Sequence, residues 1–408
     1  MDAESALFAI FTPAGRENPY PSLEKLRDIA PVYYNKDLDS FFLTSFDDCQ
    51  AVLTDARFLA PDLSWCEANL PDWREHPAAD FFYSSLLRAN GADHTRLRQL
   101  VGGGFTPRRV AALRPAVERT TRRLLDDLAD ATSDGSAGNF QDLVGYPLPV
   151  AVVGELIGVP ASDRPQFWQL GRDASRLLEP VRSAEDWALA DRAVERLRGY
   201  FGELIALRRR RPADDLTSAL VGVAGARSLL PAEVTDLLVL VFVAGFETTT
   251  GLLGLTVHAL LSHPGELALI AADPGLAAQA VEESLRWDTP VQMTERIAQQ
   301  DLEISGVDIA MGANVTAVMA AANRDPAQHP DPHRFDVRRT GTRLLSFSAG
   351  PHYCLGAALA RMEAAEAVRQ LVGRFPRLAL AGVPQRRDSF SLRSYENLPV
   401  TVSAGAVG

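Results

Sequence analysis

The chain has 408 residues, 47% hydrophobic and 23% charged, values that allow a large core and exclude a disordered or low-complexity protein. Its formal charge of −11 excludes nucleic acid as the main partner, because phosphate binding needs a basic face. Cys49, Cys66 and Cys354 are too scattered for a disulfide framework, and Met1–Phe11 lacks the basic and apolar parts of a signal peptide, so a cytoplasmic protein is expected.

In chain order, alternation predicts short strands at Val32–Tyr34 and Phe41–Thr44, then a helix at Asp47–Leu53. Pro61–Asn90 scatters Trp65, Trp73, Phe81, Phe82 and Tyr83 among acids and prolines and reads as a long irregular segment, a kind that is usually functional. Helical spacing then dominates, at Arg109–Leu128, Val150–Ile157, Arg164–Leu178, Ala184–Arg209 and Glu233–Leu261. Pro231 suits the first turn of the last of these and His263-Pro264 ends it. That helix would run roughly 45 Å, across the whole molecule. Its most apolar part, Leu237–Phe246, is far shorter than the roughly 20 residues of a membrane span, so no membrane anchor is expected. Helices at Leu276–Trp287 and Leu355–Arg374 flank small strands within Ile297–Val318, and strand-like pieces return at Leu378–Leu380 and Pro399–Val402. The fold class is mainly α with a minor β part.

The chemistry centres on Phe347–Arg361. Gly350 and Pro351 set a tight turn and an amphipathic helix follows, which places Cys354 at a helix N-terminus, where the dipole and free N–H groups favour a thiolate. With no second cysteine nearby, zinc and iron–sulfur sites are excluded in favour of one thiolate beside a glycine, Gly356, that lets a flat macrocycle approach. Three further groupings stand out. Glu283 and Arg286 sit at i and i+3 of one helix; Ala244-Gly245-Phe246-Glu247-Thr248-Thr249 puts poor helix formers in mid-helix; and His94 and Arg98 are cations one turn apart, which repel unless an anion lies between them.

Phe347, Gly350, the basic His352, Cys354 and Gly356 are similar in kind and spacing to the haem-binding loop of cytochromes P-450, except that Ser348 stands where the family usually has glycine. The other groupings, in the same order along nearly the whole chain, resemble further motifs of soluble bacterial members. The resemblance implies one domain over residues 1–408, its β-rich part at about 1–60, 296–320 and 377–408, holding haem b through the Cys354 thiolate. It makes His94, Arg98, Arg296 and His352 the contacts of the haem propionates. Phe347, Ala244 and Gly245 lie against the haem, Gly245 opens the long helix for dioxygen, and Thr248 with Glu247 delivers protons. Leu240, Ala244 and Thr248 share the haem-facing side. Glu283 and Arg286 are completed by Arg334 as a structural ion-pair network.

The implied activity is a monooxygenase, inserting one atom of O2 into a C–H bond or double bond. Electrons come from NAD(P)H through a ferredoxin and its reductase, docked on a basic patch of Arg96, Arg108, Arg109 and Arg361. Pocket walls are expected from Pro61–Asn90, Phe167–Arg192, Leu240, Ala244, Val291–Thr294 and Phe390–Tyr395. They point to a bulky, largely apolar substrate of natural-product biosynthesis, free or bound to a carrier protein. Oxidative coupling on the same scaffold, and a non-catalytic haem-binding scaffold or sensor, are the alternative readings.

Overall fold

The chain opens with helices, which the alternation of the first strands concealed: Ala3–Ala9, Pro13–Glu17 and Tyr20–Ile29 precede any strand. Each of the first two is capped, Asp2 accepting from the N–H of Ser5 and Thr12 from that of Gly15. In this computed structural model residues 1–179, 182–224 and 230–402 are described, so residues 180–181 of the expected pocket wall and the end of the expected β-rich part lie outside the described residues.

A five-stranded sheet follows the order Val32–Asn35, Ser40–Leu43, Asn314–Ala317, Thr294–Ala298, Phe58–Leu59. Ser40–Leu43 runs parallel to Asn314–Ala317, pairing Ser40 with Asn314, and the remaining pairings are antiparallel. Phe41, Leu43, Val315 and Ala317 bury one side of it against Phe46, Cys49 and Val52 of the Phe46–Thr54 helix. The larger core belongs to the helices Pro107–Ala131, Pro147–Ile157, Ala184–Arg210, Pro231–Ser262, Ala277–Trp287 and Ala357–Arg374.

The Pro231–Ser262 helix runs through the middle. Pro231 occupies its first turn, the Glu233 carboxylate accepts from the N–H of Leu230 at 2.9 Å, and His263 leaves helical geometry (φ −128°, ψ 74°) before Pro264. Among the described residues it is the one helix long and apolar enough to cross a membrane, and 72% of its most apolar window is buried inside the protein.

Pro61–Asn90 departs from the sequence expectation. It holds two helices, Leu63–Asn69, capped by Asp62 through the N–H groups of Ser64 and Trp65, and Pro77–Ser84, started by Pro77. Trp73, Phe81, Phe82 and Tyr83 are buried in the main core. The aromatic content of this segment therefore serves packing and gives no information about the bulk of a substrate.

The Glu283–Arg286 pair is an interior clamp. Arg286, fully buried, donates to both Glu283 oxygens at 2.8 Å and to the carbonyls of Pro332 and Arg334 at 2.9 Å. The arginine that completes it is Arg339, whose Nε lies 3.1 Å from Glu283 Oε2. The expected Arg334 contributes only its carbonyl; its side chain is 59% exposed and pairs with Asp336 at 3.3 Å. Side-chain direction in the loop separates the two arginines: the Arg334 backbone faces the clamp while its side chain leaves for water.

Candidate active site

The cysteine loop is pinned from behind. Asn323 accepts from the N–H of Leu345 at 2.9 Å and donates to Ser346 Oγ at 2.8 Å, and Ser346 Oγ donates to the Leu285 carbonyl at 2.7 Å. The loop closes on itself through Cys354 N–H to the Phe347 carbonyl at 2.9 Å. Gly350 turns at φ 64°, and a Cβ there would stand 2.5 Å from the Leu53 carbonyl oxygen, so both its conformation and its space require glycine. At Gly356 a Cβ would meet only the Phe105 ring at 3.8 Å and Cys354 Sγ at 4.0 Å.

Ser348 also holds a left-handed conformation, φ 61°, and its buried hydroxyl has no partner. Ser348→Gly should therefore raise stability by about 1 kcal/mol, read as a higher unfolding midpoint of the holoprotein with an unchanged carbonyl spectrum.

Cys354 lies two residues before Gly356, the cap of the Ala357–Arg374 helix. Although Cys354 is exposed, desolvation by the surrounding protein pushes its thiol up, while the N–H groups of Gly356 and Ala357 and the guanidiniums of Arg98 and Arg361 pull it down. Helix and arginines alone thus leave a thiol; a bound cation adds the charge that holds it as thiolate. The lone sulfur fits a metal brought by a macrocycle, since no cluster of three or more His, Cys, Asp and Glu able to hold a bare ion exists among the described residues.

A second observation fits the same group. From Leu237 to Val257 the central helix is buried at every position except Val241, Ala244, Gly245 and Thr248. Their spacing of three, four and seven residues makes one open stripe on an otherwise enclosed helix. Leu240, expected on this face, is 9% exposed and belongs to the core. The helix is continuous through Gly245, whose missing Cβ makes room for Val153 Cγ2, 2.9 Å from where it would stand. Gly245 is thus packed closely on its Val153 side and belongs to the open stripe on the other. Thr248 Oγ1 donates back to the Ala244 carbonyl at 2.8 Å. Glu247 points elsewhere: its buried carboxylate pairs with Arg387, whose other arm donates to Ser175 Oγ at 3.0 Å. Arg387 lies 140 positions downstream, and no local signal marks it.

The basic groups expected at the haem edge come together. The His94 and His352 rings are 4.4 Å apart, with Arg98 one turn after His94 and donating to the Tyr353 carbonyl at 2.7 Å. Burial, then the charges of Arg296 and His94, pushes His352 down to about 3; burial and Arg98 lower His94. Burial and the neighbouring cations thus favour the neutral imidazole at both positions, a form that keeps one N–H available as a donor. Burial lowers Arg296 to about 10, which leaves it charged at neutral pH. A cleft of about 490 Å³ opens beside His94, Arg98, Gly350 and Leu355. Elsewhere, a small cavity of about 30 Å³ unites two of the expected pocket walls, Gln292 and Met293 with Phe390, and adds Phe11, between the first two helices, and Arg16 of the second.

The basic patch expected for a redox partner is largely neutralised. Arg96 pairs with Glu233 at 2.6 Å, Arg361 with Glu282 at 2.5 Å, and Arg109 with Asp214.

This fold and site define a haem-thiolate oxygenase scaffold. The cytochrome P-450 family profile matches residues 275–390. The chain is 38% identical to 6-deoxyerythronolide B hydroxylase of Saccharopolyspora erythraea, over 93% of this chain and 95% of that protein. It is also 38% identical to the cytochrome P-450 monooxygenase PikC of Streptomyces venezuelae, over 89% and 85%. A BioI cytochrome P-450, solved in complex with an acyl carrier protein ligated to hexadec-9Z-enoic acid, superposes at TM-score 0.88 with 33% identity over 95% of this chain and 99% of that one. The chain belongs to the cytochrome P-450 family. It is an oxygen-incorporating oxidoreductase with haem-thiolate iron and O2, acting on a small molecule with NAD(P)H-derived electrons from a ferredoxin and its reductase.

Proposed function

We propose that this cytoplasmic, single-domain enzyme inserts one oxygen atom of O2 into a C–H bond or double bond of a bulky, largely apolar natural-product intermediate. In this reading the Cys354 thiolate would hold the haem iron, and His94, Arg98, Arg296 and His352 would hold the haem carboxylates. Phe347, Gly350 and Gly356 shape the cysteine side, and Ala244, Gly245, Thr248 and Glu247 the opposite side. The observation that carries it is the open stripe through Ala244 and Thr248 on a helix buried everywhere else along its middle. The substrate class is supported by relatives named 6-deoxyerythronolide B hydroxylase and polyketide biosynthesis cytochrome P-450 PksS. The carrier-protein complex of the BioI structure supports a tethered form of the substrate.

When bound, haem supplies the redox chemistry, with electron donation from the thiolate favouring O–O cleavage. The protein's part is to exclude water and place protons. Thr248 spends its own hydrogen on the Ala244 carbonyl, which frees its oxygen's lone pairs to accept a hydrogen bond and hold a proton-donating water in the open stripe. Glu247, dry and paired with Arg387, is a carboxylate in this arrangement and would relay a proton to that water only after leaving Arg387. One oxygen enters the product; two electrons and two protons turn the other into water.

Reconstitution with a ferredoxin and reductase under ¹⁸O₂, on macrolide precursors and fatty acids preselected by the spectral shift of substrate binding, should give products carrying a single labelled oxygen. Product without label, or coupled dimers without added oxygen, overturns the insertion reading.

The Thr248 role has its own test. Thr248→Ser should keep most of the product formed per NADPH, whereas Thr248→Val, its closest isostere, should lose roughly tenfold or more in coupling and release peroxide. Equal coupling of Val and wild type overturns the role.

A further inference from the structure

One arginine in the interior has no assigned task. Arg88 lies in the segment between the Pro77–Ser84 helix and the helix that carries His94 and Arg98. Its side chain is 14% exposed, its buried Nε has no partner, and its guanidinium is stacked 4.5 Å from the centre of the Phe82 ring. The one carboxylate near it, Glu295, is 3.9 Å away and 42% exposed. That distance is too long for a hydrogen bond, and a pair so wet at one end is weak.

The segment is fixed in place. Asn90 accepts from the Ala60 N–H at 3.0 Å and donates to the Ala60 carbonyl at 2.9 Å. Ala60 directly follows the Phe58–Leu59 strand, in which Leu59 pairs with Ile297. Arg88 is thereby clamped at the sheet edge beside Arg296, and its charge is felt at both Arg296 and His352.

The charge count at this edge is uneven. Arg88, Arg98 and Arg296 bring three guanidiniums, and among the described residues Glu295 is the one carboxylate within 4 Å of any of them or of His94 and His352. Two of the three, Arg88 and Arg296, are largely buried and share only the half-exposed Glu295, a state that is costly unless an anion enters. Haem carries two carboxylates.

We propose that Arg88 is a further ligand of a haem carboxylate, gripping it together with Arg296 while Glu295 limits the excess charge from the solvent side. The assignment rests on the haem reading above. It predicts that Arg88 and Glu295 act on the iron with opposite sign, because a nearby positive charge favours the ferrous form and a negative one the ferric form.

The test uses ferric holoprotein of Arg88→Gln, Arg88→Lys and Glu295→Gln. Haem transfer to excess apomyoglobin and the midpoint potential are measured on each, after the thiolate-type carbonyl band has verified the haem reading in the wild type. Arg88→Gln should lose haem about tenfold or more faster, the usual cost of a hydrogen bond to a charged group, with a lower midpoint potential. Arg88→Lys should recover most of the retention, and Glu295→Gln should shift the potential upward. Wild-type haem retention and potential in Arg88→Gln would overturn the assignment, even with the carbonyl band intact. So would a loss confined to the binding of myristic acid, which would make Arg88 a substrate-anion site. Should Arg88→Gln not accumulate, the other two variants decide: wild-type midpoint potential in Glu295→Gln, or a lowered one, overturns the assignment, as does wild-type haem retention in Arg88→Lys together with an unshifted Glu295→Gln.

Discussion

Cys354→His should give a protein that still takes up haem but whose ferrous carbonyl adduct has lost the strongly red-shifted Soret band of thiolate ligation, with monooxygenase turnover at background. The loop that presents Cys354 does not depend on its sulfur: Cys354 N–H is bound by the Phe347 carbonyl, Gly350 makes the turn, and Asn323 and Ser346 hold the loop from behind. A histidine there meets the same iron with a neutral nitrogen and without the electron donation that drives O–O cleavage. The carbonyl spectrum and product formation are read on one preparation. A variant that keeps the red-shifted band overturns the ligation assigned to Cys354.

The second large effect is on stability. Arg286→Leu should cost about 3–5 kcal/mol, because it strips a buried carboxylate of its main partner and leaves two carbonyls without donors. The 1% exposure of Glu283 gives the stranded charge no access to water, and Arg339, 13% exposed, with the Asp336 N–H at 2.9 Å is left to hold it. Loss of soluble holoprotein or a sharply lower unfolding midpoint is the expected result. Arg339→Ala should do damage of the same kind. Arg334→Ala should stay within about 0.5 kcal/mol of wild type, since its side chain is in water and its carbonyl survives the change. Equal harm from Arg334→Ala and Arg339→Ala would show the clamp to be wrongly drawn.

Much of this protein was legible before any coordinates. The long helix could be read from its periodicity, with Pro231 at its start and His263-Pro264 at its end, because those constraints act within a few residues. The same holds for the cysteine loop, whose turn needs Gly350, and for the Glu283–Arg286 pair, since residues three apart on a helix are neighbours whatever surrounds them. Short elements escaped. The helices of Ala3–Ile29 and Pro61–Asn90 are too brief for periodicity to declare them, and their caps at Asp2, Thr12 and Asp62 were the available signals.

What only the tertiary structure decided is which side chains meet across long stretches of chain. Arg334 and Arg339 lie close in sequence, and the path of one loop sends the first to water and the second to Glu283. The partners of Glu247 and the surroundings of Arg88 come from segments far away in sequence, and the arginines expected as a basic patch are mostly matched by acids on other helices. Local pattern reports backbone preference and one-turn neighbours; the pairing of charges depends on how buried faces pack, which is settled only when the whole core closes.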